Sequence, residues 1–223
     1  MEIKPIAYIY TDFKEKFGIP RQSGRNKSAM GKIVFEKEFA VNDAFKGIEQ
    51  FSHLWLIFDF SKSHTEKFNP TVRPPRLGGN KRVGVFATRS PFRPNSLGLS
   101  VVKLESIDFS NGVSLMVSGV DLLDGTPIYD IKPYIPYADN VNGALGGFSD
   151  EYKDYALSVI FPEELISLIP KNKHQTLIDA LKDDPRPSYI ENDERVYSMK
   201  FSCFDISFKV SNQTLEVIGV KKI

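Results

Sequence analysis

The first two-thirds of this sequence alternate between short β-prone segments and loops rich in glycine, proline and arginine. Strands are predicted at residues 3–10, 31–39, 54–60, 82–88, 97–107 and 113–120. Asn111-Gly112, between the last two segments, is a strong hairpin signal. Long helices do not alternate regularly with these strands, as they would in a doubly wound parallel sheet. We therefore predict a mainly β fold whose N-terminal part is a single-sheet β-barrel, either antiparallel or mixed.

The remaining third has a different pattern. A short helix is predicted earlier, at residues 41–51, but the main helical stretch covers residues 162–181 and is predicted to break near Pro170. Apolar and polar residues then alternate along 204–210, which is typical of a half-buried strand that pairs back with residues 215–220. Residues 139–149 are predicted to form a linker. We therefore expect a barrel domain at 1–140 and a smaller α+β domain at 150–223.

The sequence carries a single cysteine, Cys203, so no disulfide can form within the chain. Its first residues lack the apolar core of a signal peptide, and no apolar run approaches the ~20 residues that a membrane span needs. These features favour a reducing compartment, and we expect a cytoplasmic protein.

Charge is distributed unevenly although the net charge is only +1. Residues 67–93 contain seven lysines or arginines and no acidic residue, and residues 14–32 contain six basic residues against one acidic. Acidic residues gather later, at 179–194. The asymmetry indicates an anionic ligand near the first half of the chain, with a solvated basic face as the alternative.

Several common sites are absent from the sequence. There is no glycine-rich dinucleotide fingerprint, no P-loop and no nucleophile elbow. One cysteine and the separated histidines His53, His64 and His174 give no metal-ligand spacing, so we expect no metal. Arg73-Pro74-Pro75-Arg76 lacks the flanking residues of the common adenine N6-methyltransferase motif. Pattern alone indicates a basic β-barrel that binds an anion, with RNA as one option.

Six sequence blocks carry a resemblance to a known family. They are FKEKFGIPRQ (13–22), FSHLWLIF (51–58), VRPPRLGG (72–79), RVGVFATRSPFRPNSLGLS (82–100), DLLDGTPIYDIKPYIPYAD (121–139) and DPRPSY (184–189). In this order they closely resemble the TrmO family, also called TsaA-like or YaeB-like. The resemblance implies a homodimeric β-barrel tRNA (adenine-N6)-methyltransferase that uses S-adenosylmethionine on threonylcarbamoyl-adenosine beside the anticodon.

The resemblance also implies a set of cofactor-binding residues. Family members often have His-Gln where this chain has Ser61-Lys62, so the side-chain contacts differ there. The cofactor-binding residues implied for this chain are Ser23, Gly24, Arg25, Ser61, Lys62, Arg89, Leu99, Ser118, Gly119, Val120 and Asp121.

Catalytic and RNA-binding residues are predicted from location and chemistry. The N6 proton must leave before the nitrogen attacks, and the carboxylates Asp121 and Asp124 are candidates to take it. For Asp124, which precedes Gly125, a turn role is an equal alternative. The residues predicted to bind RNA are Arg73, Arg76, Arg93 and Lys132, and a cation for the threonyl carboxylate is expected from Arg89, Arg93 or Lys132.

Two other function classes are compatible with the residues. One is a non-catalytic RNA-binding module, in which the basic loops contact phosphate and no cofactor pocket exists. The other is a transferase or hydrolase that acts on a small anionic metabolite without RNA.

Overall fold

A computed structural model describes residues 2–77, 81–186 and 195–223, excluding the side chain of Arg76. The strands of its first part are β1 (Ala7–Thr11), β2 (Met30–Phe35), β3 (His53–Asp59), β4 (Thr71–Val72), β5 (Val83–Gly84), β6 (Leu97–Asp108), β7 (Ser114–Ser118) and β8 (Thr126–Pro133). Six of them form one closed barrel in the order β1, β2, β7, β6, β3, β8. The predicted mainly β fold with an N-terminal single-sheet barrel is confirmed.

The barrel closes where β1 pairs antiparallel with β8, Ala7 lying opposite Ile128. Neighbouring barrel strands all run antiparallel, and alternate side chains fill the interior. The fully buried interior residues include Ile9, Ile33, Leu54, Leu56, Leu115 and Ile128. Closure pairs the strands that would otherwise form the two edges of the sheet.

Strand β8 is absent from the strands predicted above, because residues 121–137 are rich in proline and their local sequence favours an irregular loop. Pro127 and Pro133 weaken the local β signal, since proline cannot donate to a ladder. The segment nevertheless pairs with β1 on one side and with β3 on the other. Long-range pairing therefore determines this strand more than its local sequence does.

Two local predictions are wrong. The helix predicted at 41–51 is instead a pair of 3-10 turns, Asn42–Phe45 and Ile48–Gln50, separated by Gly47 with a left-handed φ of 88°. The strand predicted at 82–88 is reduced to the two residues of β5, followed by a 3-10 turn at Val85–Ala87. In both segments a glycine interrupts the helix or strand that the neighbouring side chains favour.

The second part is a small sheet with helices. Its elements, preceded by the short helix α1 (Pro136–Asp139), are β9 (Ser158–Ile160), α2 (Glu163–Ile166), α3 (Lys171–Lys182), β10 (Tyr197–Phe201), β11 (Phe204–Ser211) and β12 (Thr214–Lys222). The sheet order is β10, β11, β12, β9, with β9 parallel to β12. The predicted break at Pro170 and the alternation along β11 are confirmed.

The two parts of the chain pack against each other through aromatic side chains. Phe13 forms an isolated bridge with Phe201, and their rings meet edge to face at 5.9 Å between centroids. Phe17 stacks with Tyr197 and Phe208 of the second sheet. Buried residues from both parts therefore belong to one hydrophobic cluster. Within the described ranges, no helix has the length and apolar character to cross a membrane.

Candidate active site

An open cleft of about 510 Å³ lies where the ends of β3, β6 and β7 meet the loop that follows β1. Its size falls in the range of small-molecule sites, roughly 300–1,000 Å³. We call it the first cleft. The residues that line it are Lys16, Ile19–Gln22, Phe58–Ser63, Thr88, Arg89, Pro91, Arg93, Leu97–Ser100, Asp121–Leu123 and Thr126.

Asp121, three residues after β7, is the half-buried carboxylate of the first cleft. It accepts a hydrogen bond from Ser100 Oγ at 2.7 Å and another from the Ser23 backbone N–H. Burial raises the pKa of Asp121 to about 6, and these hydrogen bonds and the charge of Arg89 limit the rise. The group is therefore ionised at neutral pH but holds a proton more readily than an exposed carboxylate.

Arg89 lies at the rim of the first cleft and is exposed. Its Nη1 donates to Gln22 Oε1 at 2.6 Å, a neutral acceptor that leaves the positive charge uncompensated by that contact. Apolar surface lies beside it, because Leu97 and Leu99 are 38% and 53% exposed. A cation, a carboxylate and exposed leucines thus line one cavity, which suits a ligand with both apolar and charged parts.

A second cleft, of about 1,290 Å³, adjoins the first and shares Gln22, Thr88, Arg89 and Pro91 with it. Its other lining residues are Thr65, Lys67, Asn69, Thr71–Pro75, Arg82, Phe86, Ala87, Ser90, Phe92, Gly146, Phe148 and Ser149. Among the described residues that line it, none is acidic. This second cleft is therefore electropositive and larger than a small ligand needs.

The structure brings about half of the predicted cofactor residues to the first cleft. Ser61, Lys62, Arg89, Leu99 and Asp121 line it directly. Ser23 does not line this cleft but contacts strand β6, since Ser23 Oγ accepts a hydrogen bond from the Val101 N–H at 3.3 Å.

Other predicted cofactor residues lie outside the lining. Gly24 N–H donates to Gly119 O at 2.9 Å, which joins the loop after β1 to the end of β7. A side chain on Gly119 would meet the Gly24 backbone at 3.5 Å, and its φ of +77° also favours glycine. Ser118 and Val120 are buried, and Ser118 Oγ donates to Glu105 Oε1. These residues fix the backbone next to the first cleft without lining it.

The predicted catalytic residue Asp124 lies outside the residues that line either cleft. Its Oδ1 accepts from the Thr11 N–H at 2.9 Å, and its Oδ2 pairs with Lys14 Nζ at 2.8 Å. Both oxygens therefore join the turn before β8 to the end of β1, which is the turn role weighed against catalysis.

The predicted RNA-binding residues are separated by the fold. Arg73 is exposed in the second cleft, whereas Arg93 donates to Val85 O and Thr88 O and so stabilises its own loop. Lys132, on β8, pairs with Asp130 and lines neither cleft. The side chain of Arg76 is outside the described part of the structure.

One ionisable pair near the first cleft was not predicted from sequence. Asp59, at the end of β3, is only 8% exposed and lines the first cleft, and its Oδ1 lies 2.6 Å from His64 Nε2. The sequence signal for this pair is an acidic residue within the apolar run of residues 54–60. In the described ranges, no cluster of three or more histidine, cysteine or acidic residues is arranged to hold a metal.

The loop that forms one wall of the first cleft is fixed by the second part of the chain. Asp183 Oδ2 accepts from the Arg21 N–H at 3.1 Å, and Asp183 Oδ1 pairs with Arg25 Nε at 2.8 Å. Arg21 Nη2 also donates to the carbonyls of Asp184 and Arg186. Arg25, a predicted cofactor residue, therefore joins the loop after β1 to the end of α3 and to the segment before β9, and it does not line the first cleft.

A closed antiparallel barrel with a small-molecule cleft beside a basic cleft defines a β-barrel protein that binds a small ligand next to an anionic partner. Models of the tRNA-methyltransferase O N-terminal and C-terminal domains match residues 8–140 and 154–223. The chain belongs to the tRNA-methyltransferase O family.

Individual relatives agree with this membership. A tRNA (adenine(37)-N6)-methyltransferase of Escherichia coli K12 is 38% identical over 229 residues, covering 99% of this chain and 97% of the relative. A Pseudomonas aeruginosa PAO1 protein named, by inference, an S-adenosylmethionine-dependent methyltransferase is 42% identical over 194 residues, with 84% and 82% covered. The crystal structure of TrmO from P. aeruginosa is 32% identical, with a TM-score of 0.82 over 100% of this chain and 97% of the other.

Asp183→Ala is expected to lower the free energy of unfolding by about 1.5–3 kcal/mol, the range for hydrogen bonds to a charged group. It removes the acceptor of the Arg21 N–H and of Arg25 Nε. Chemical denaturation measures the change. Glu38→Ala is the control, because it breaks the exposed Lys4–Glu38 pair and is expected to cost less than about 1 kcal/mol. Equal losses in the two variants would contradict a stabilising role for Asp183.

Asp121→Asn is expected to stabilise the fold at neutral pH. Because the pKa of Asp121 is raised from 3.8 to about 6, its stabilising contribution is full at low pH and is lost as pH rises through 6. The neutral amide avoids this loss, worth about 1–2 kcal/mol for a half-buried group. Thermal unfolding above and below this window measures the difference, which should vanish below about pH 4.

Asp108→Asn is the matched control for pH dependence. Hydrogen bonds from Ser110 lower the pKa of Asp108, so the ionised form stabilises the fold. This variant should be less stable than the wild type at neutral pH, the opposite sign to Asp121→Asn. A destabilised Asp121→Asn at neutral pH would mean that the ionised carboxylate is the form that the fold prefers.

Proposed function

We propose that this chain transfers a methyl group from S-adenosylmethionine to N6 of threonylcarbamoyl-adenosine beside the anticodon of tRNA. The coarser activity combines what two relatives are named for: methylation of a tRNA adenine at N6 in the Escherichia coli protein, and use of S-adenosylmethionine in the P. aeruginosa protein. One observation carries the proposal: Asp121 and Arg89 line the first cleft, which continues into the basic second cleft, where none of the described lining residues is acidic.

The first cleft fits the methyl donor in volume and chemistry. Its exposed leucines, Leu97 and Leu99, offer apolar surface for an adenine ring, and its polar groups suit a charged amino-acid end. When bound, S-adenosylmethionine supplies a methyl group already activated by the sulfonium. The chain's own residues then have to orient the acceptor and exclude water.

The acceptor nitrogen needs a base. The N6 lone pair of threonylcarbamoyl-adenosine is delocalised into the ring and the adjoining urea carbonyl, so N6 attacks only as its proton leaves. We assign proton removal to Asp121, whose pKa of about 6 suits a general base at neutral pH. Ser100 Oγ and the Ser23 N–H orient its carboxylate.

The threonyl carboxylate of this substrate needs a cation. Arg89 is the best placed of the three predicted cations, because it lines both clefts and acts electrostatically on Asp121. Arg93 is engaged with backbone carbonyls, and Lys132 is paired with Asp130. A planar guanidinium matches a carboxylate through two parallel hydrogen bonds.

We also infer that the active form is a homodimer, as the family resemblance implies. Three exposed apolar side chains, Tyr137, Val141 and Leu145, follow β8 and support this inference. Light scattering of the purified chain tests it, and a monomeric mass at working concentration would contradict it.

Incubation of two tRNA samples with labelled S-adenosylmethionine tests the main proposal. Nucleoside mass analysis should find one added methyl group on threonylcarbamoyl-adenosine. For tRNA that lacks the threonylcarbamoyl group, kcat/KM should fall roughly 10- to 100-fold, the effect of losing a charged hydrogen-bonded partner. Equal rates on both samples would contradict recognition of the carboxylate.

The same assay separates the two alternatives. No methyl transfer to either tRNA, with no cofactor binding by calorimetry, would favour a non-catalytic RNA-binding module. Cofactor binding without a salt-dependent tRNA complex would favour a transferase acting on a small metabolite.

Arg73→Ala tests the basic groove. If Arg73 neutralises one phosphate, its loss should weaken tRNA binding and flatten the slope of log K against log salt by about one unit. The affinity for S-adenosylmethionine should not change, because Arg73 lines only the second cleft. Arg89→Ala should weaken both affinities. Lys46→Ala is the control, because Lys46 is exposed and lines neither cleft, so its slope should match that of the wild type. An unchanged slope in Arg73→Ala would contradict the phosphate contact.

A further inference from the structure

A pair of exposed, stacked aromatic rings includes one residue of the second cleft. Phe86 is 73% exposed and Phe68 is 50% exposed, and their rings stack with 6.4 Å between centroids and an interplanar angle of 27°. Phe86 lines the second cleft. The aromatic surface is therefore presented toward whatever that cleft binds.

The Phe86 ring is supported despite its exposure. Phe86 is the middle residue of the 3-10 turn Val85–Ala87, and the neighbouring Val85 is buried. The Arg93 guanidinium lies 5.8 Å from the centre of the Phe86 ring, and its Nη1 donates to Val85 O at 3.2 Å and Thr88 O at 2.7 Å. An arginine held in this way orders the ring before any ligand arrives, which reduces the entropy lost on binding.

The residues around Phe86 have the chemistry of a site that binds a single-stranded nucleic acid. The same cleft contains the basic residues Lys67, Arg73, Arg82 and Arg89 and no described acidic side chain. Proteins that bind unpaired strands combine such a positive groove with aromatic side chains on which bases stack. An apolar protein partner would not need four cations around the ring.

The position of Phe86 relative to the first cleft defines which base it meets. Thr88, two residues away, and Arg89 belong to both clefts. A strand whose target adenine enters the first cleft therefore passes its next nucleotide along the second.

Resting on the proposed tRNA substrate, we propose that Phe86 is a stacking platform for the nucleobase adjacent to the target adenosine, with Arg93 as its positioning residue. The platform recognises an unpaired base by its π-face, without reading its identity. The identity of the bases is then recognised by other contacts in the first cleft and the second cleft.

The test uses the full chain and anticodon stem-loop RNAs that carry threonylcarbamoyl-adenosine. In one RNA the nucleotide on the 5′ side of the target is 2-aminopurine, and in the other it is the nucleotide on the 3′ side. Fluorescence of 2-aminopurine reports stacking directly. We expect binding of the wild-type chain to quench the probe in one of the two RNAs.

Three substitutions at Phe86 separate stacking from apolar contact. Phe86→Ala should bind the RNA roughly 5- to 150-fold more weakly, the range for loss of one base–aromatic stack. Phe86→Leu, which keeps apolar bulk without a π-face, should lose both affinity and quenching. Phe86→Trp should retain both. Because no charge is removed, the salt slope should not change in any of them.

Phe109→Ala is the matched control, since Phe109 is 46% exposed and lines neither cleft. It should bind RNA as the wild type does. Wild-type affinity or quenching in Phe86→Leu, or an oligomer that dissociates in Phe86→Ala by light scattering, would overturn the proposal. If the wild-type chain itself does not bind the RNA, the proposed tRNA substrate is contradicted. If Phe86→Ala methylates the RNA with the same kcat/KM as the wild type, the tRNA substrate stands and only the stacking role of Phe86 is contradicted.

Discussion

Closure of the barrel between β1 and β8 is the constraint on which the rest of the structure depends. The pairing of Ala7 with Ile128 joins the first strand to the last strand of the barrel and leaves a dry interior filled by residues such as Ile9 and Leu54. Because closure fixes every neighbour, the ends of β3, β6 and β7 come together at one rim. The first cleft exists because closure brings the end of β3, the start of β6 and the residues after β7 to the loop that follows β1.

The second part of the chain completes this rim. Asp183 accepts from the Arg21 N–H and pairs with Arg25, so one carboxylate holds the loop whose residues Ile19–Gln22 form a cleft wall. Two features of the first cleft lower the stability of the fold. Burial makes ionised Asp121 unfavourable, and Leu99 remains exposed. Stability supplied elsewhere by the shared aromatic core offsets such local costs, as is usual at functional sites.

The elements with strong local signals can be predicted from the sequence. The alternation along β11, the break at Pro170 and the apolar run of β3 all produce the expected structure. Strand β8 cannot be predicted in this way, because prolines weaken its local propensity and two neighbouring strands impose the pairing. The basic loops also look alike in sequence. In the structure Arg93 turns inward to carbonyls while Arg73 stays exposed, a difference that depends on the fold of the loop.

By itself, the sequence determined the mainly β class, the barrel without a dinucleotide-binding turn, and the basic loops that surround the site, because strand periodicity, glycine and proline positions and charge are local properties. Only the tertiary structure decided which residues meet. It brought Asp121 to Ser100 and Arg89, and it directed Asp124 to Thr11 and Lys14. These outcomes depend on strand register and closure, which join residues far apart in the chain and leave no trace in any short segment.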